Sequence, residues 1–373
     1  PDSDAESSSV AESSSVAESS SVADSSSEAE LPFVPDSEAD SSSVADSSSV
    51  ADSSSEADSS SEADDSSSTV DPVVVAPEML SFSFTLGGQI GVNCDYEIAD
   101  EYVNGNYTVK AVFTNGDETI TVDLDKSQTT TVSGTTAYRF TLPVASCNMT
   151  ELYTAVVVVT DANGNEVVRS DEDSVSVNKC MRSLTNSGGD LGKALANALR
   201  TYGYYSQMKF NTDATLPTTS PLDLSDVTLV TVKDYKKTTT TFSSDDKVTM
   251  GETALLLESE TIIRYYISDL NGLSAEGMTL SYTSVNGTTG TAEVKYSEEK
   301  GMYYAEITNI GATQLSDMFT AYFVSNGAQV SDAVTFGAYS HVFSTLRTGT
   351  NENDINLAKA LYKYGVAATD YIG

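Results

Sequence analysis

The chain repeats part of itself, and this internal repeat constrains its fold more than any other sequence feature. Residues 196–203 (ANALRTYG) return as residues 358–365 (AKALYKYG). Upstream of each copy the agreement continues, with residues 152–155 against 318–321 and residues 180–184 against 342–346. We therefore predict two copies of one unit, each long enough to bury a core of its own.

The segment that precedes the repeat is predicted to be disordered. Residues 1–72 contain 29 serines and 19 acidic residues, with no Lys or Arg, largely as a six-residue Ser/Ala/acidic repeat. Such a composition buries too little apolar surface to offset the entropy of ordering. We predict a low-complexity acidic linker over residues 1–78.

Charge and hydropathy exclude several partners. The chain has a net charge of -36, and its remaining part is also acidic, with 36 acidic against 19 basic residues. Nucleic acid and anionic membranes are poor partners for such a surface. No apolar run is long enough to span a membrane. The chain has no initiating Met and no signal-peptide pattern, and we interpret it as a monomeric fragment of a longer protein.

Within each copy, strand patterns come first and helix patterns follow. Apolar segments are separated by turn signals such as Asn163-Gly164 and Asn286-Gly287, which are typical of antiparallel hairpins. Strands are predicted at 82–86, 107–113, 119–124, 138–142 and 152–160, and again at 227–232, 254–257, 262–267, 278–282, 292–296, 302–307 and 318–325. Helical periodicity follows each set, at 177–184 and 191–202 and at 338–346 and 353–371.

The predicted fold class is α+β. It consists of two tandem, mainly antiparallel β-sandwich (Ig-like) modules, each ending in α-helices. The first module is predicted over residues 79–211, a connector over 212–226, and the second module over 227–373.

Several segments resemble a known group of proteins. Residues 251–266 and 356–368 resemble segments that recur in large secreted or surface proteins of anaerobic gut Clostridia of the ruminococcal type, and residues 86–93 resemble the opening of the related first module. The Ser-rich acidic linker is similar to linkers in the fibre- and starch-degrading assemblies of ruminococci. The resemblance implies an exported, multimodular protein, and it supplies no catalytic residues.

The chemical inventory argues against catalysis. His341 is the single histidine, and no CxxC, P-loop or dinucleotide motif occurs. The residues that a zinc site or a Ser/His or Cys/His nucleophile requires are therefore absent from the sequence. We predict no enzymatic activity and no cofactor. Cys94, Cys147 and Cys180 all lie in the first module and are interpreted as small core residues whose disulfide state stays open.

One loop has partial calcium-ligand spacing. Asp161, Asn163, Asn165 and Glu172 occupy loop positions 1, 3, 5 and 12 of a calcium loop, but Glu166 stands where such a loop requires Gly. The alternative is a plain hairpin turn on Asn163-Gly164, and we expect no metal.

The aromatic residues offer candidate glycan contacts. The chain has 20 tyrosines and no tryptophan. Tyrosine rings can stack on sugars, although the absence of Trp removes the commonest platform for this. The candidate glycan-binding residues are Tyr204, Tyr266, Tyr304 and Tyr362, and the alternative is that these rings pack in the core.

Two functions follow from these observations. The first is a non-catalytic, extracellular binding or adhesion segment for a polysaccharide such as starch or a plant glycan, held on a flexible tether. The alternative is a structural spacer or an attachment module for a cell-envelope protein. In both cases the predicted location is secreted or on the cell surface.

Overall fold

A computed structural model describes residues 74–116, 118–210, 221–244, 247–257 and 259–373. The N-terminal half has strands β1 (Glu78–Thr85), β2 (Gly91–Glu97), β3 (Thr108–Asn115), β4 (Glu118–Asp123), β5 (Thr129–Val132), β6 (Thr135–Pro143), β7 (Tyr153–Thr160), β8 (Glu166–Arg169) and β9 (Asp173–Val175). Its helices are α1 (Asp100–Asn104), α2 (Val177–Ser187) and α3 (Gly189–Phe210).

The C-terminal half has the same plan. Its strands are β10 (Thr238–Thr240), β11 (Thr249–Leu257), β12 (Thr261–Asp269), β13 (Thr279–Ser284), β14 (Thr289–Glu293), β15 (Lys295–Ser297), β16 (Met302–Ile307), β17 (Phe319–Ser325), β18 (Ala328–Gln329) and β19 (Ala333–Phe336). Its helices are α4 (Ala338–Thr348) and α5 (Glu352–Ile372).

The sheet topology repeats from one half to the other. The order β1-β2-β6-β5 in the first half corresponds to β11-β12-β16-β15 in the second. The other sheets run β4-β3-β7-β8, with β9 on β7, and β14-β13-β17-β19-β10, with β18 on β17. The neighbouring strands are antiparallel. The predicted combination of antiparallel sheet and helix is therefore confirmed, and the sequence repeat is a repeat of topology.

Alternate side chains of the strands form the core of each half. In the first half, Val92 lies opposite Leu142 and Cys94 lies opposite Phe140, and all four side chains are buried on one face of the sheet. In the second half, Ile263 lies opposite Ile307 in the same way. Because side chains alternate between the faces of a strand, these positions fix the register of both sheets.

Local sequence sets where the helices begin. The Ser176 hydroxyl accepts a hydrogen bond from Lys179 N at 3.1 Å and caps α2. The Asn351 side chain caps α5 by accepting from Asn353 N at 2.9 Å. Each cap satisfies a backbone N–H that has no partner within its helix.

Three details of the sequence prediction were wrong. Residues 227–232 form turns and not a strand, and the first strand of that half is β10. The predicted strand 292–296 is divided between β14 and β15, which belong to different sheets. Val175 and Phe336 pair with equivalent positions of β7 and β17. Counted from these residues, Cys180 is equivalent to His341 and not to Val342, so the sequence match of α2 to α4 shifts by one residue.

Some predicted segments lie outside the described residues. These are residues 1–73 of the predicted linker and residues 211–220, which include most of the predicted connector.

Two equivalent glycines should respond differently to alanine. A Cβ on Gly365 would lie 2.2 Å from the Tyr339 hydroxyl and 3.1 Å from Leu315 Cβ, whereas a Cβ on Gly203 would meet the flexible end of Met149. Because Tyr339 is buried and donates to Tyr362 O at 3.0 Å, it cannot move away freely. We expect Gly365→Ala to destabilise the fold by about 1–3 kcal/mol through overpacking.

Gly203→Ala is the matched control, and it should be close to neutral because alanine favours a helix by about 1 kcal/mol. Urea unfolding of both variants measures the difference. Equal stability of the two variants would contradict the packing described at Gly365.

Candidate functional site

The structure brings two of the four candidate tyrosines together. Tyr266 on β12 lies opposite Tyr304 on β16, with ring centroids 6.0 Å apart. The guanidinium of Arg264 lies 4.4 Å from the Tyr304 ring centroid, and the ammonium of Lys300 lies 4.9 Å from that of Tyr266. Tyr266 is only 1% exposed under these cations, while Tyr304 is half-buried. The pair is thus largely covered by its own neighbours.

The other two candidates lie on separate helices. Tyr204 on α3 is half-buried and packs edge-on against Tyr205, with centroids 5.1 Å apart. Tyr362 on α5 is half-buried and packs on Tyr339 at 4.7 Å. The four rings therefore do not line one groove.

An exposed tyrosine was missed by the sequence analysis. Tyr296 on the edge strand β15 is 53% exposed, and its ring lies 5.0 Å from that of Tyr303. Tyr296 lies at the sheet edge because the strand breaks between β14 and β15. The sequence pattern of the predicted strand 292–296 is continuous and does not indicate this break.

The candidate calcium loop is a hairpin turn between β7 and β8. The Asp161 carboxylate accepts from Asn163 N at 2.9 Å and from Asn165 N at 2.8 Å, and Asn165 Nδ2 also donates to it. Glu172 lies beyond the far end of β8 from this turn. These hydrogen bonds lower the pKa of Asp161, and they direct its oxygens to the turn's own amides.

The remaining titratable residues of interest do not form a reactive cluster. Desolvation lowers the pKa of His341, and Asp354 opposes that shift. Cys94, Cys147 and Cys180 are unpaired, and burial raises the pKa of Cys180 to about 12. In the described part of the chain, no three His, Cys, Asp or Glu side chains lie close enough to hold a metal ion.

The most extensive feature that joins the two halves is a junction between α3 and α5. Tyr202 and Tyr364, which are equivalent in the sequence repeat, stack with centroids 5.5 Å apart and an interplanar angle of 7°. Both are buried, and burial raises the pKa of Tyr202 to about 12. Lys209 of α3 also forms an ion pair with Asp354 of α5, at 2.8 Å.

Backbone contacts extend the junction to the first hairpin of each half. Ile90 N donates to Ser259 O at 3.1 Å, and Gln89 and Glu260 form an isolated antiparallel bridge. Ala312 N donates to Leu86 O at 3.0 Å. We define the junction as α3, α5 and these turn residues. In the tyrosine stack, equivalent positions of the two halves meet, as at an isologous interface.

Two cavities were found near this region, and both are small. One lies under α2 and α3 beside Met149, Arg200 and Gln207, and the other lies in the junction beside Tyr202 and Tyr364. Each has a volume of about 10 Å³. A space of this size holds about one water molecule and no sugar ring.

A carboxylate paired with an asparagine recurs in both halves. Asn115 Nδ2 donates to Glu151 at 2.8 Å, and Asn286 Nδ2 donates to Asp317. Both asparagines precede a glycine in a hairpin turn, and both carboxylates follow a short 3-10 turn. Burial raises the pKa of Glu151 and of Asp317. These pairs anchor a turn to the sheet in each half.

Comparisons with known proteins give one weak structural likeness. No family model matches the chain, and no curated protein sequence matches it. Among solved structures, the chain is similar to the crystal structure of the FN1–FN3 domains of chicken CNTN1, at 9% identity with a TM-score of 0.17. The match covers 66% of this chain and 62% of that chain. A likeness at this level carries no argument about function.

Asp317 should make stability depend on pH. Because burial raises its pKa from the ordinary value of 3.8, the folded state binds the proton more tightly than the unfolded state. The Asp317 contribution to the free energy of unfolding should therefore fall as pH rises from that value through the raised pKa. Asp317→Asn keeps an oxygen that can accept from Asn286, and it should reduce the loss of stability between pH 4 and pH 7.

Thermal unfolding across this range, with exposed Asp234→Asn as the control, measures the effect. The expectation fails if Asp317→Asn and Asp234→Asn show the same pH dependence.

Proposed function

We propose that the chain is a non-catalytic, rigid spacer or attachment segment of a multimodular protein. In this proposal, each half is an Ig-like β-sandwich closed by its helices, and the two sandwiches act as one body. The junction between α3 and α5 is the observation that carries the proposal.

The junction supports rigidity because it combines three kinds of contact. A stacked pair of buried tyrosines packs the two helices together, backbone hydrogen bonds join the first hairpins, and an ion pair joins the C-terminal end of α3 to the N-terminal end of α5. Two domains connected only by a linker are expected to move relative to one another, whereas a large apolar interface restrains them. A restrained pair can hold whatever is attached to it at a set distance and angle.

The chemistry of the chain supports a non-catalytic role. The described residues offer cavities of about 10 Å³ at the two places noted above, and the candidate tyrosines are spread over one sheet and two helices. None of the described helices has the length and apolar character of a bilayer-spanning segment. A secreted or surface location, in a bacterial protein of the gut Clostridia type, is supported by the resemblance of residues 251–266 and 356–368.

Glycan binding is the second candidate function. The observation that favours it is the exposed ring of Tyr296, which lies beside Tyr303 at the edge of the sheet. Such an edge could stack on a polysaccharide chain without a pocket. Affinity electrophoresis through gels with starch, xylan or mucin tests it, with Tyr296→Ala as the variant. Retardation that depends on Tyr296 would favour this function over a spacer.

The spacer proposal predicts that the two halves stay together without a covalent link. A protease site placed within residues 211–220 of the full chain would allow the connector to be cut after folding. We expect the cut halves to co-elute in size-exclusion chromatography, because the junction remains intact.

Tyr202→Ala combined with Tyr364→Ala should separate the cut halves, because each loss of a buried aromatic ring costs about 3–5 kcal/mol. Tyr296→Ala is the matched control and should leave them associated. Separation of the cut wild-type halves would refute a rigid pair.

A further inference from the structure

Equivalent residues of the two halves meet at two separate points of the junction. The first point is the stack of Tyr202 on Tyr364, with ring centroids 5.5 Å apart. The second point is the isolated antiparallel bridge between Gln89 and Glu260. An antiparallel bridge keeps its geometry when its two strands are exchanged. Both points therefore fit a two-fold axis that relates one half to the other.

The register of the strands shows that Gln89 and Glu260 are equivalent. Val92 of β2 and Ile263 of β12 occupy the same position in their sheets, because each pairs with the corresponding residues of the two flanking strands. Gln89 lies three residues before Val92, and Glu260 lies three residues before Ile263. The hairpin loops that contain Gln89 and Glu260 also have the same length in the two halves.

The cavity in the junction follows the same symmetry. Its lining includes both members of three equivalent pairs, which are Tyr202 with Tyr364, Gln89 with Glu260, and Ile90 with Thr261. Equivalent parts of the two halves therefore surround one point. At this point each half contacts a surface similar to its own, as a subunit does in a symmetric dimer. A second copy of the chain offers the same kind of surface.

One ion pair of the junction breaks the symmetry. Lys209 of α3 pairs with Asp354 of α5 at 2.8 Å. The sequence repeat places Tyr371 at the position of Lys209 and Gly192 at the position of Asp354. Two first halves would place Lys209 against Gly192, and two second halves would place Tyr371 against Asp354. The ion pair therefore favours contact between unlike halves.

The bridge at Gln89 and Glu260 distinguishes the two kinds of like pairing. Two first halves would place Gln89 opposite Gln89, and these neutral side chains do not repel each other. Two second halves would place Glu260 opposite Glu260, and like charges directly opposite one another in antiparallel strands are destabilising. Charge at this position therefore opposes the pairing of two second halves and permits the pairing of two first halves.

We propose that the junction surface of the first half, formed by α3 and the turn at Gln89, binds the first half of a second copy of this chain. In the closed chain the second half covers this surface. Its covalent link gives it an effective concentration in about the millimolar range, so a second copy at micromolar concentration does not displace it. Opening of the junction exposes the surface, and two copies then join through Tyr202 and Gln89.

Matched substitutions in the full chain expose one half at a time. Tyr364→Asp places a charge in the stack and exposes the surface of the first half, whereas Tyr202→Asp exposes that of the second half. Size-exclusion chromatography with light scattering, over a series of protein concentrations, measures the mass. We expect Tyr364→Asp to double in mass and Tyr202→Asp to stay monomeric. Addition of Glu260→Gln to Tyr202→Asp removes the repulsion and should also produce a dimer.

A disulfide cross-link reads the same pairing even if Tyr364→Asp unfolds the second half. Gln89→Cys in the Tyr364→Asp chain places two cysteines opposite each other across the two-fold axis, at the separation that a disulfide requires. Oxidation should then give a covalent dimer in non-reducing electrophoresis. Tyr364→Asp without Gln89→Cys is the matched control, because it retains Cys94, Cys147 and Cys180.

Each outcome decides the proposal. A doubled mass for Tyr364→Asp, with a cross-link that depends on Gln89→Cys, supports it. A monomeric Tyr364→Asp chain, or one whose Gln89→Cys form does not cross-link, would overturn it, as would equal association of Tyr364→Asp and Tyr202→Asp. If the mass exceeds that of a dimer, the second half has unfolded and the cross-link decides.

The proposal rests on the junction of the proposed spacer, but the two fail in different experiments. Separation of the cut wild-type halves refutes the rigid pair. Cut wild-type halves that co-elute, together with a Tyr364→Asp chain that neither dimerises nor cross-links, would retain the spacer and refute the pairing of two copies.

Discussion

The stack of Tyr202 on Tyr364 is the contact on which the arrangement of the two halves depends. Each ring comes from the same position of the sequence repeat, so the two helices meet at equivalent surfaces. Such self-complementary contact is the geometry of a symmetric dimer, here within one chain. The glycines that follow these tyrosines serve contacts within each half, because Gly203 lies against Met149 and Gly365 lies against Tyr339 and Leu315.

The sequence repeat predicted which residues are equivalent, but it could not predict that equivalent residues touch. Periodicity located α3 and α5, since it reports which side of a helix is apolar. The contacting residues of the two helices, Tyr202 and Tyr364, are more than 150 positions apart in the sequence, and a local pattern contains no information about contacts between such distant residues. The strand prediction for residues 227–232 was wrong for a related reason. Val227 and Val232 are buried, but turns rather than a strand place them in the core.

The candidate glycan-binding tyrosines also show that a local sequence pattern does not predict tertiary contacts. Alternation places Tyr265 on the face that carries Ile263 and Ile267, and Tyr266 on the other face. Tyr266 was expected to face solvent, but Arg264 and Lys300 cover its ring, and Lys300 is in turn held by Glu252 at 3.0 Å. Arg264 lies two residues before Tyr266 on the same strand, whereas Lys300 lies in the turn before β16, so the position of Lys300 over the ring is a property of the folded sheet. Alternation predicts the face, and tertiary neighbours determine the exposure.

The two halves carry different side chains at one pair of equivalent sheet positions. The register of β2 with β6 places Asp95 opposite Arg139, at the positions where β12 and β16 place Tyr266 opposite Tyr304. The first half buries a bidentate ion pair there, with Arg139 Nε 2.7 Å from Asp95 and a third bond from Ser81. The second half places two rings there, and cations lie over both of them. Both pairs of side chains occupy equivalent positions of the same strand pairing. A buried ion pair is strongly destabilised when either partner is lost, whereas rings tolerate substitution by other apolar groups. Topology was thus kept while the chemistry of equivalent positions diverged.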